Sequence, residues 1–234
     1  MPRHSTIMTT DAALYRLMTW LSPSYPLGAF SYSHGLEYAI EVGLVRDGDG
    51  LVEWVATSLE AGAGLSDGAL LAAAWSAARA RDAAEFERVA ALAAAWRGTA
   101  ETALESTAQG AAFLATTRAA WPHPFLDVLA LRHRGALALA VAVGAAGAVH
   151  EVPLPALLTA YLHAFAANLV SAGVRLIPLG QSKGQRAIAA LEPAIAAVAQ
   201  RIQTAPLDEI GTAAPLIDWC SMRHETQYTR LFRS

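Results

Sequence analysis

Between Ser22 and Glu41 the chain reads SPSYPLGAFSYSHGLEYAIE, a stretch that gathers Ser31, Ser33, His34, Glu37 and Glu41. Serine, histidine and carboxylate are the parts of a nucleophile, a base and an orienting group, so a helical hydrolase using Ser33, His34 and Glu37 is one chemistry to weigh. Their order opposes it. The chain has no GxSxG elbow, and neighbours in a helix point in different directions. Glu37 and Glu41 stand one helical turn apart and, with no second chemical partner, read as a solvated acidic face.

Metal chemistry needs ligands that converge. The histidines, His4, His34, His123, His133, His150, His163 and His224, are scattered and form no HExxH pair. Cys220 and His224 lie four apart and would share a helix face, which supplies two ligands for a soft metal. With His34 they define an alternative, an autonomous nickel-binding metallochaperone. Two ligands are too few for a closed site, so the pair reads as a buried cysteine beside an exposed histidine. His163, on an apolar helix, reads as a hydrogen-bonded core residue. GQSKGQ at 180–185 lacks Walker spacing and a preceding strand, which leaves an interhelical turn and no nucleotide hydrolysis.

Interaction chemistry is denser, and it sits in two places. In the opening loop Tyr25, Phe30, Tyr32 and Tyr38 offer large stiff surfaces, with His34 and Glu37 as polar anchors. At the other end, SMRHETQYTRLFRS sets Arg223, Arg230 and Arg233 among Tyr228 and Phe232. Two readings stay open on composition: an interface, or core aromatics beneath a loop and a frayed terminus.

The elements that must position these residues are helical throughout, with no alternating run of strand length. A first helix begins near Thr10 and turns Leu14, Leu17, Met18 and Leu21 to one face before Pro23. Leu36 opens a second, ended near Gly43. Asp47 or Asp49 caps a third, Ser66 or Asp67 starts a fourth, and Asp82 caps a fifth. Thr99 to Ala120 makes a long sixth helix whose face is Leu104, Ala108, Ala111, Leu114 and Ala115, and WPHPFLD breaks it. Helices around 137–149 and 155–175 are apolar nearly all round and belong at the centre, and Gln185 to Gln203 forms another. The expectation is an all-α, single-domain bundle of roughly nine to ten helices. Residues 1–215 make the bundle, and 216–234 make a C-terminal partner-binding extension of the same domain.

Of 234 residues, 54% are hydrophobic and 16% charged, with a formal charge of -3, so no basic field exists to hold nucleic acid. One cysteine forms no internal disulfide, and the N-terminus lacks a continuous apolar leader segment, so the expected location is cytoplasmic. The apolar run at 135–149 is too short to span a bilayer, and His163, Asn168 and Ser171 would face lipid at a cost, so no membrane partner is expected.

SYPLGAFSYSHGLEYAIE, NLVSAGVRLIPLGQSKGQRAIAALEP and SMRHETQYTRLFRS, taken in order, resemble the UreF family of urease accessory proteins. The resemblance implies a non-catalytic, homodimeric helical scaffold. It would bind UreD (also called UreH) and recruit the GTPase UreG to apo-urease, where a lysine is carbamylated and nickel inserted. UreG's GTP hydrolysis would be timed by the scaffold. Nickel and GTP would then belong to the complex, with no cofactor bound by this chain alone. By the same resemblance Phe30 stands where the family has an aromatic, often tyrosine, in a loop that reorganises on UreD binding. Glu37 matches a functional acid, Arg175 a basic position linked to activation, and Arg230 a tail arginine supporting UreG recruitment. Tyr32, Ser33, His34, Gln181, Gln185, Arg223, His224, Glu225, Tyr228 and Arg233 complete the expected partner-binding set. The tail is expected to order on UreD contact, so that its loss would cost binding and leave folding intact.

Overall fold

In the computed structural model residues 10–234 are described, and His4 with the rest of 1–9 lies outside the described residues. Twelve α-helices form among them: α1 Asp11–Trp20, α2 Leu36–Glu41, α3 Gly48–Glu60, α4 Ala63–Ala80, α5 Ala83–Ala95 and α6 Ala100–Ala120. These are followed by α7 Pro124–His133, α8 Leu139–Val149, α9 Leu154–Leu176, α10 Gln181–Ala190, α11 Glu192–Thr204 and α12 Pro215–His224. No strand occurs among the described residues, so the all-α expectation holds. Local chemistry sets many of the starts. Thr10, Asp47, Asp82 and Thr99 each accept, through a side-chain oxygen, the backbone N–H three residues on, which satisfies a donor the helix cannot.

The apolar helices α8 and α9 take the centre, as their composition requires. Helix α8 lies between α4 and α6 at backbone contact distance. A Cβ on Gly144 would stand 2.4 Å from the Leu71 carbonyl oxygen, and one on Gly110 would stand 2.0 Å from that of Leu137. Small residues therefore do let backbones approach. Helix α9 is long and apolar enough to cross a membrane by length and composition, and here half of that span is buried inside the bundle.

Several expectations change on packing. His123 and Pro124, read as part of a break, start α7: the His123 ring accepts the Phe125 N–H and proline fits a first helical turn. The expected single helix from Gln185 divides at Leu191, because Pro193 in the first turn of α11 has no N–H to continue the ladder of α10. Helix α4 starts at Ala63, which places Ser66 and Asp67 inside it and buried. On α1 the buried face is Ala13, Leu17 and Trp20, while Leu14 and Met18 are exposed. On α6 the expected stripe holds at Leu114, which is buried, but Leu104, Ala108 and Ala115 face solvent, Ala111 is half-buried, and Glu105, Ser106, Gln109, Gly110, Phe113 and Thr117 are buried instead. His163 is exposed, not a core residue.

Candidate functional site: the loop and tail junction

The opening loop can turn back on α12 because Gly28 and Gly35 take left-handed backbone angles, φ 72° and 74°, and His34 does so at 52°. Gly35 also lies against α12 so closely that a Cβ would meet the Ser221 nitrogen at 2.6 Å. Helix α2 then starts at Leu36 and puts Glu37 in its first turn, buried and directed at the tail.

Four groups converge on this acid and its neighbour. The backbone N–H groups of Leu231 and Phe232 donate to the two Glu37 oxygens at 2.7 and 2.9 Å, and His224 Nε2 lies 3.0 Å from Glu37 Oε2. On its other side His224 Nδ1 lies 2.8 Å from Glu101 Oε2, and Arg230 Nη1 donates to Glu101 Oε1 at 3.1 Å. His224 is 0% exposed. Two carboxylates, a histidine and an arginine thus close around the end of α12.

The loop and the last residues are joined backbone to backbone. Arg233 N–H donates to the Ser31 carbonyl and Ser33 N–H to the Ser234 carbonyl, each at 2.7 Å, and the Ser33 hydroxyl donates to the same Ser234 oxygen. The Ser234 hydroxyl donates to Glu105 Oε2 at 3.1 Å, while Glu105 Oε1 takes Gln109 Nε2 at 2.8 Å and His34 Nε2 at 3.0 Å. Burial opposes a charge on His34, yet the charge and hydrogen bond of Glu105 leave its pKa above the ordinary histidine value. Deeper still, Arg97 grips Asp67 through both terminal nitrogens, at 2.7 and 3.3 Å. Burial, reinforced by the charge of Asp67, pushes the nearby Tyr161 phenol well above its usual value.

At the rim Arg175 bridges the two segments. Its Nη2 donates to the Phe30 carbonyl at 2.7 Å and its guanidinium lies 4.4 Å over the Phe232 ring, so it clamps loop to tail by a carbonyl and a ring. Phe232 is buried beneath it, whereas Phe30 is 68% exposed and Tyr228 and Leu231 stand free of the surface. Arg223 lies over Tyr38, and Glu225 accepts the Ala100 N–H at the start of α6.

The junction therefore unites most residues expected from sequence: Phe30, Ser33, His34, Glu37, Arg175, His224, Glu225, Arg230 and Arg233. Tyr32 and Tyr25 prove to be buried packing residues, with Tyr25 bonded to Thr117 at 2.8 Å. Gln181 and Gln185 lie on the exposed face of α10, which packs on α3, α9 and α11, apart from the loop and tail. Two readings are corrected. Glu37 is buried, not part of a solvated acidic face with Glu41. His224 is buried, not an exposed tail residue, and both ring nitrogens already face carboxylates, which leaves Cys220 without the imidazole as a co-ligand. Ser33 and His34 take separate partners, so no nucleophile and base pair forms.

Sequence reasoning missed Glu101, Glu105 and Gln109. Their four-residue spacing on an alanine-rich helix was a readable signal for one polar stripe. The buried Asp67 and Arg97 pair, thirty positions apart, left none.

Fold and junction together define an all-α bundle whose concentrated polar chemistry ties its own loop to its own tail. A family model described as UreF matches residues 45–192. The urease accessory protein UreF of Granulibacter bethesdensis is 54% identical over 98% of this chain and 97% of its own length. Those of Rhodopseudomonas palustris strain BisB5, 53% identical over 96% and 92%, and of Bradyrhizobium strain BTAi1, 49% identical over 100% and 98%, agree. The chain belongs to the UreF family of urease accessory proteins.

Proposed function

We propose that this protein is a non-catalytic scaffold of urease maturation that, with UreD, recruits the GTPase UreG to apo-urease and regulates its GTP hydrolysis. Lysine carbamylation and nickel insertion then follow on urease, with nickel as cargo of the assembly. A homodimer working in the cytoplasm fits this role. The observation that supports the reading is the junction itself. Loop and tail are locked into one ridge on which Phe30, Tyr228 and Leu231 are exposed beside Arg230, Arg233 and Arg223. Aromatic surface flanked by arginine is the composition of a protein-binding hot spot, and guanidinium groups suit carboxylates on a partner.

Arg230 serves two ends. One nitrogen bonds Glu101, and 41% of its side chain remains exposed for a partner. Co-purification of UreD and UreG with the wild-type protein and with Arg230→Ala is the test. The substituted protein should retain UreD and lose UreG. Retention of UreG at the wild-type level through UreD overturns the assignment.

A further inference from the structure

A cleft of about 570 Å³ opens where the C-terminal ends of α4 and α8 meet the N-terminal ends of α5 and α7. It shares no lining residue with the loop and tail junction. Its floor is apolar. Phe86 and Ala148 are buried, Val149 is half-buried, and Phe86 meets the half-buried Phe125 edge to face with 5.5 Å between ring centres. A volume of this size suits a small organic ligand, and apolar walls carrying a few polar groups are how such sites are built.

The polar groups of the cleft decide which ligand. Its two carboxylates are engaged: Asp82 Oδ1 caps α5 by accepting the Glu85 N–H at 3.0 Å, and Glu151 lies 3.9 Å from Arg79. Arg81, which also lines the cleft, makes no ion pair and no side-chain hydrogen bond among the described residues. His123 Nδ1 accepts the Phe125 N–H at 3.2 Å, which puts the ring proton on Nε2 and makes that nitrogen a second donor without a protein acceptor. The groups left unpaired are donors, one of them charged, beside an apolar floor. Their complement is an anionic acceptor on an apolar body.

The helix ends point the same way. Arg81 and Glu151 stand at φ 58° and 59°, the left-handed position past a helix end that glycine ordinarily takes. Each end closes as it would with glycine there: the Asp82 N–H reaches the Ala77 carbonyl at 2.9 Å and the Val152 N–H that of Gly147 at 2.8 Å. Two long charged side chains thus occupy positions where glycine would be more stable, and both line this one cleft. We propose that the cleft binds a small organic carboxylate with an aromatic or branched apolar body, the carboxylate taken by Arg81 and His123 and the body laid against Phe86 and Phe125. The site stands apart from the scaffold reading, and its test is independent of recruitment.

Titration of 4-phenylbutyrate into the full chain, followed by backbone amide shifts in NMR, reads the site directly. Shifts at Arg81, Phe125 and Val149 should saturate with a Kd of about 1 mM or tighter, the scale expected of so small a ligand. The uncharged 4-phenylbutyramide should bind about fivefold or more weakly. Arg81→Gly is the variant that spares the fold, because left-handed backbone suits glycine. It should be no less stable in urea titration and should bind acid and amide alike. Arg81→Glu should reverse the preference and take 4-phenylbutylamine over 4-phenylbutyrate.

Three results overturn the proposal. Shifts of the cleft amides that show no saturation by about 10 mM remove the site. Equal binding of the acid and the amide by the wild type removes the anion preference. An Arg81→Gly protein that still prefers the acid removes Arg81 as its source.

Discussion

Glu37 and His224 are 187 residues apart in the chain and meet at 3.0 Å in the interior. Their contact makes the opening loop and the tail one object, because the same Glu37 carboxylate also holds two tail amides.

Removing that carboxylate leaves His224 Nε2 and the Leu231 and Phe232 N–H groups without their partner. Glu37→Ala should cost about 3–5 kcal/mol of unfolding free energy by urea titration, and proteases should cut the tail first. Glu37→Gln keeps one acceptor oxygen and should cost about half as much.

The tail is also part of the fold, since Phe232 and Ser234 are buried and the hydroxyl of Ser234 reaches Glu105. A protein lacking 225–234 should therefore unfold at lower temperature in calorimetry as well as lose a partner, contrary to the expectation that only binding would suffer.

Gly35 combines a left-handed backbone with a contact that no side chain can share. Gly35→Ala should destabilise by more than about 1 kcal/mol in urea titration and increase exchange of the amides of α12, whereas a substitution at Gly28, where a Cβ meets open space, should cost only backbone strain.

Arg175 carries a carbonyl bond and a ring contact, not an ion pair, and burial lowers its pKa. Arg175→Ala should lose about 1–2 kcal/mol in chemical unfolding, and Arg175→Lys should recover only part of it, because lysine has one nitrogen and no planar face to lay on Phe232.

His34 gives a pH dependence with a definite sign. Its folded pKa is raised, so its contact with Glu105 contributes stability that is fully present below the ordinary histidine range and is lost as pH rises through the raised value. Urea midpoints should fall from about pH 6 to about pH 9, and His34→Gln should flatten that part of the profile.

The 3.6-residue periodicity, the capping residues and the near-uniform apolarity of about 137–149 and 155–175 were enough to derive an all-α bundle with those two helices at its centre. These are properties of neighbours in the chain, which act whatever the rest of the molecule does. The loop and tail were also legible as the two places dense in binding chemistry, because aromatics, glycines and arginines announce themselves by type. Which face of α1 or α6 turns inward was not legible. On an alanine-rich helix the difference in apolarity between faces is too small to set a rotation, and α6 turned Glu105 and Gln109 inward because His34 and Ser234 were there to meet them. Only the tertiary structure could bury Glu37 and His224, since a buried charge is tolerated only beside its partner, and those partners come from α2, α6, α12 and the tail.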